Sequence, residues 1–159
     1  MHKMSFFGNY ATIHSMKKIL FICHANVTRS QMTAGFFNKN APAGWHAESA
    51  GTDIKNEDGT NADKHLLKET PATVHIFACM AEEGIDIREN MRHQVTPQMI
   101  ADADMVIALV PPETCPDYMR SSPKTIYWNV EDIAVVSLDE FKKVRERIRP
   151  LVKQLIESL

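Results

Sequence analysis

The chain has 159 residues, 44% apolar and 24% charged, which is long enough for one domain with a buried core and too short for two. Eighteen basic and twenty acidic side chains give a formal charge of −2 with no basic block, which excludes a phosphate-tracking stripe for nucleic acid. The three cysteines, at 23, 79 and 115, make neither a disulfide framework nor a C-x-x-C pair, so a reducing, cytoplasmic setting is expected.

In chain order, residues 1–15 (MHKMSFFGNYATIHS) lack clean periodicity and read as an N-terminal extension, disordered or the product of an upstream start codon. No function attaches to them, and the domain is expected over 16–159. MKKILFIC imitates the head of a secretory signal, but its apolar part, Ile19 to Cys23, is too short and Asn26, Thr28 and Arg29 follow at once. No apolar stretch reaches the length of a membrane span. Lys18–Cys23 has the continuous apolar character of a buried parallel strand. Arg29–Asn38 places Met32, Phe36 and Phe37 on one helical face. WHAESAGT (45–52) reads as a second strand ending in a glycine turn, and 53–70 as a long polar loop with one helical turn around His65–Lys68.

TPATVHIFACMAEEGIDI predicts a helix with Thr70 as N-cap, Pro71 at its first position and Gly84 as C-cap, with Cys79 a small buried hydrophobe. TPQMIADAD (96–104) repeats the cap-then-proline signature. MVIALV (105–110) and KTIYW (124–128) are the third and fourth strands. Ser137 and Glu140 make a capping box for a terminal helix with Leu138, Phe141, Val144, Ile148, Leu151 and Leu155 on one face, which Pro150 should kink or restart. The alternation predicts an α/β fold: a three-layer single domain, a four-stranded parallel sheet with helices on both faces, and a phosphate-binding loop after the first strand.

That loop, Cys23-His24-Ala25-Asn26-Val27-Thr28-Arg29-Ser30, carries the chemistry. Backbone N–H groups of a short turn running into a helix N-terminus form a concave anion site. The same field lowers the pKa of a thiol at its base, which makes Cys23 a thiolate near neutral pH. Arg29 can fork two oxygens of a tetrahedral dianion, and Ser30 can donate to the sulfur. Asn26 suits either a backbone turn at positive φ or a side chain that ties the loop together. A buried strand-end cysteine would explain Cys23 alone, but not the strand, the helix, the arginine and the serine together. The seven histidines show no metal-ligand spacing, and His24, though inside the loop, receives no catalytic part.

ILFICHANVTRSQM resembles the phosphate-binding loop of the low-molecular-weight protein tyrosine phosphatases and the related thioredoxin-type arsenate reductases. ESAGT (48–52), EEGIDI (82–87), ADADMVIAL (101–109) and WNVEDI (128–133) resemble further landmarks of that family, in its order, across about 16–159. The resemblance implies Cys23 as nucleophile, Arg29 as the clamp on the equatorial oxygens, and Asn26, Ser30 and Ser49 as the supporting network. It implies Asp132 as general acid and then base, in a two-step reaction through a cysteinyl-phosphate without metal or cofactor. The family has proline after this aspartate where Ile133 stands here, and Glu131 is the fallback acid.

Two activities follow from the resemblance. The first is a phosphatase acting on phosphorylated protein or a small phosphomonoester, although DIKNED and IAVVS lack the rim aromatics of a phosphotyrosine specialist. The second is arsenate reduction, supported by Gln31-Met32 and by Cys115 in ETCPDYM. That relay lacks one thiol, because Val110 stands at its place, so Cys115 or an external thiol from glutathione or thioredoxin would resolve the intermediate. A phosphocarrier subunit would need neither Arg29 nor Asp132.

Overall fold

The computed structural model describes residues 16–70, 73–132 and 137–159. The expected extension (1–15), the proline expected to open the second helix (Pro71) and the Ile133 to Val136 stretch lie outside them. The strands are β1 (Lys17–Cys23), β2 (Trp45–Gly51), β3 (Met105–Ala108) and β4 (Thr125–Tyr127). All pair in parallel in the order β2-β1-β3-β4. The helices are α1 (Arg29–Asn40), α2 (Val74–Ala81), α3 (Pro97–Asp102), α4 (Asp117–Arg120) and α5 (Leu138–Ser158).

The continuous apolar run of β1 is explained by burial on both faces. Ile19 and Phe21 point into a layer with Phe37, Ile76, Phe141 and Ile148 from α1, α2 and α5. Leu20 and Ile22 point into the opposite layer with Ile100 of α3 and Met119 of α4. This is the expected three-layer α/β arrangement, with neighbours on both sides of β1. The strand order reverses there, so the crevice at the carboxyl end of β1 is where an open parallel sheet places a ligand.

Several elements differ from the sequence reading. The second helix is capped by Thr73 and not by Thr70. The Thr73 hydroxyl donates back to Leu67 O (2.9 Å) and Thr70 O (2.7 Å), and Thr70 ends a 3-10 turn over Leu67–Glu69. Gly84 does end that region, at φ 71°, beyond a further turn. The strand at 105–110 stops at Ala108, although Leu109 N still donates to Ile22 O (2.7 Å). α4 was not foreseen; its four residues are too few to show a helical period. α5 runs through Pro150 without a restart. Pro150 lies on the exposed face, where water can serve the carbonyl that its missing N–H would have bonded.

The capping box at the head of α5 is formed as the sequence predicts. Glu140 N donates to Ser137 Oγ (3.3 Å), and Ser137 N to Glu140 Oε2 (3.1 Å). Ser137→Ala should remove one of these bonds and cost about 1 kcal/mol. In a chain of this size that corresponds to a fall in melting temperature of about 2–4 °C, measurable by circular dichroism.

Candidate active site

The 24–28 turn joins the carboxyl end of β1 to the N-terminus of α1. Among the described residues, none of the backbone N–H groups from Ala25 to Thr28 donates to another protein group. The turn closes through Asn26, whose φ of 54° only a short polar side chain or glycine adopts readily. Its side chain is fully buried and fully used. Nδ2 donates to Ser30 Oγ (2.7 Å) and to Ser49 Oγ (3.0 Å), while Oδ1 accepts from His93 N (2.8 Å). Both expectations for Asn26 therefore hold at once.

Ser30 Oγ lies 3.0 Å from Cys23 Sγ. Ser30 Oγ also accepts from Asn26 Nδ2, so the hydroxyl is held beside the sulfur. Cys23 and Ser30 are both buried, at the head of α1.

Arg29 is buried and fastened by backbone. Its NH1 donates to Leu109 O (2.6 Å) and Val130 O (3.2 Å), and NH2 lies 3.4 Å from Asp132 Oδ2. Asp132 is largely exposed, at the open end of a cleft of about 460 Å3 that Arg29, Tyr127 and Trp128 also line. Glu131 instead accepts from Arg147 of α5 (3.3 Å) and is engaged away from Arg29. Aromatic residues at the end of β4 and just after it thus line the same cleft as Arg29. His24 is exposed, with Nδ1 3.4 Å from Thr52 Oγ1.

Three features of the site escaped the sequence reading. A Cβ on Gly51 would meet the Ile54 side chain, His24 O at 2.5 Å and Asn26 N at 2.9 Å, so only glycine lets β2 pass under the loop. Gln31 Nε2 ties the loop to the 90–95 segment through Asn26 O (3.3 Å) and Met91 O (3.1 Å). Arg92 reaches under the loop from that same segment, with Nε donating to Ala25 O (3.1 Å). Nothing local in NMRHQV marks that arginine as buried. Beside the loop lies a cavity of about 710 Å3, whose lining includes Ala25, Val27, Lys55, Asn56, His65 and Arg92.

The other two thiols are of a different kind. Cys79 and Cys115 are buried, and burial pushes both thiols up from their ordinary value. Among the described residues no group of three His, Cys, Asp or Glu side chains is placed to hold a metal ion, and no helix is long and apolar enough to cross a membrane.

A strand-loop-helix cradle of this kind, at the carboxyl end of a parallel sheet, defines a class of anion-binding α/β proteins. The family model for low molecular weight phosphotyrosine protein phosphatase matches residues 18–159, and the chain belongs to that family. It is 30% identical over 156 residues to an arsenate reductase of Bacillus licheniformis, covering 91% of this chain and 98% of that one. A low molecular weight protein tyrosine phosphatase from T. tengcongensis superposes with a TM-score of 0.71 at 25% identity, covering 90% of this chain and 99% of the other. An arsenate reductase in a phosphate-binding state superposes with a TM-score of 0.66 at 29% identity, covering 90% and 98%.

Gly51→Ala is expected to destabilise the fold by about 1–3 kcal/mol, the usual cost of overpacking. Chemical denaturation should show a lower midpoint with an unchanged slope.

Proposed function

We propose that this chain is a cysteine-dependent phosphomonoesterase. The observation that carries the reading is the juxtaposition of the Cys23–Ser30 pair with a backbone-tethered Arg29 and an exposed Asp132 carboxylate 3.4 Å from it. Cys23 Sγ attacks phosphorus in line, and the bond to the leaving oxygen breaks. Arg29 and the loop N–H groups carry the charge of the equatorial oxygens. Asp132, having taken a proton from solvent in the substrate complex, gives it to the departing oxygen. It then takes one from the water that hydrolyses the cysteinyl-phosphate, returning thiolate and inorganic phosphate. The sequence holds no cofactor motif, and none is needed for these steps. The substrate is a phosphorylated protein or a small phosphoester.

Arsenate reduction is the second reading, favoured by the Bacillus licheniformis relative and by the placement of Cys115 in the same apolar layer as Cys23. Reducing arsenate to arsenite needs two electrons, taken from two thiols that end as a disulfide. Cys115, or glutathione or thioredoxin from outside, would supply the second thiol. The phosphatase reading stands first because Val110 replaces a thiol of the relay and burial disfavours the Cys115 thiolate.

Purified protein should hydrolyse p-nitrophenyl phosphate, and Cys23→Ser should abolish turnover while the circular dichroism spectrum is retained. Equal turnover in that variant would rule the mechanism out. Asp132→Ala should slow alkyl phosphate hydrolysis by on the order of 100-fold and p-nitrophenyl phosphate far less, because only the poor leaving group needs the proton. Glu131→Ala should leave that dependence on leaving group in place.

A parallel assay of thiol-dependent arsenite formation separates the two readings. Arsenite formation that outpaces phosphate release and is lost in Cys115→Ser would put the reductase first.

A further inference from the structure

Arg92 heads the fully buried side chains by volume, at 1% exposure. Its main chain is gripped on both sides by the 64–65 segment, Arg92 N donating to His65 O (2.8 Å) and Lys64 N to Arg92 O (2.7 Å). Its guanidinium is served by neutral acceptors: Ala25 O (3.1 Å), Asn56 Oδ1 (3.2 Å) and Lys55 O (2.9 Å). No described carboxylate pairs with it, whereas Arg29 has Asp132. A buried cation held by dipoles alone is costly, and it is retained where an anion comes to offset it. Ala25 lies two residues beyond Cys23, so a charge on Cys23 or a tetrahedral oxyanion in the loop lies on one side of this guanidinium, with Glu57, Asp58 and Glu69 lining the cavity on the other. We propose that Arg92 is a positioning residue of the phosphate loop, whose guanidinium fastens Ala25 to the 55–56 segment and whose fixed charge favours the Cys23 thiolate and a bound oxyanion.

This rests on the reading of Cys23 as the anion-seat thiol. Burial pushes Arg92 below the ordinary arginine value, and a negative Cys23 pushes it back up. The charges of the two groups are therefore coupled, while the guanidinium also holds Ala25 O. The titratable and charged groups of the elements around Cys23 are His24 in the loop, Arg29 at the start of α1 with Asp132, His93 beside Arg92, and Cys115 in the same apolar layer. On its cavity side Arg92 is accompanied by Lys55, Glu57, Asp58, His65 and Glu69. Of the two arginines, Arg92 is the one without a carboxylate, so its removal should be felt at the thiol.

The test is carboxymethylation of Cys23 by iodoacetate as a function of pH in the full chain, with and without inorganic phosphate, read by mass spectrometry of the Cys23 peptide. Arg92→Met keeps the volume of the stem without charge, and Arg92→Gln keeps a donor without charge, so either neutral variant can serve if the other fails to fold. Each should move the midpoint of alkylation up by about one pH unit, a tenfold loss of thiolate below it, and should need about tenfold more phosphate for protection. Arg92→Lys should recover the midpoint. Folded neutral variants with the wild-type midpoint and phosphate constant would overturn the inference and leave the phosphatase reading untouched. Equal shifts in the lysine and neutral variants would overturn the role of the charge. A wild-type chain with phosphate-protected alkylation but no hydrolysis would defeat the phosphatase reading and leave the role of Arg92 standing.

Discussion

The site depends on one buried amide. Asn26 occupies a backbone conformation that disfavours most residues, and every polar atom of its side chain answers a group that would otherwise be buried without a partner. Through it the first turn of α1 (Ser30), the end of β2 (Ser49) and the 90–95 segment (His93 N) meet at a single point. The conformation of the turn and the placement of Ser30 beside Cys23 Sγ therefore have a common cause.

Charge around that point is arranged in layers. Helix N–H groups and the Ser30 hydroxyl are neutral donors that need no counter-ion. Arg29 is held in line by two carbonyls, which fixes its direction before any anion arrives. Its partner Asp132 stays exposed. Cys79 and Cys115 are buried away from the loop, and burial pushes both thiols up.

Much of this was legible in the sequence because it is local. The apolar run of β1, the C-x5-R-S spacing and the Ser137 box each lie within a few residues, and each was readable from spacing alone. The SAGT glycine was visible as a turn, but its close approach to His24 O is a tertiary fact. Thr70 was misread because it closes the Leu67–Glu69 turn, to which the Thr73 hydroxyl donates, and the helix opens at Thr73. Arg92 could not be read at all. Its burial follows from pairing with His65 and Lys64, and long-range backbone pairing of that kind leaves no period in the chain.

The fastenings of the two arginines share a property that bears on how such a protein changes over time. Leu109, Val130, Ala25 and Lys55 contribute main-chain oxygens, not side chains. Every amino acid carries that oxygen, so replacement at these four positions leaves the tether available as long as the path of the chain is kept. At these four positions the tethers are insulated from changes of side chain. Side chains around the cleft can thus change while the direction of the two guanidinium groups persists.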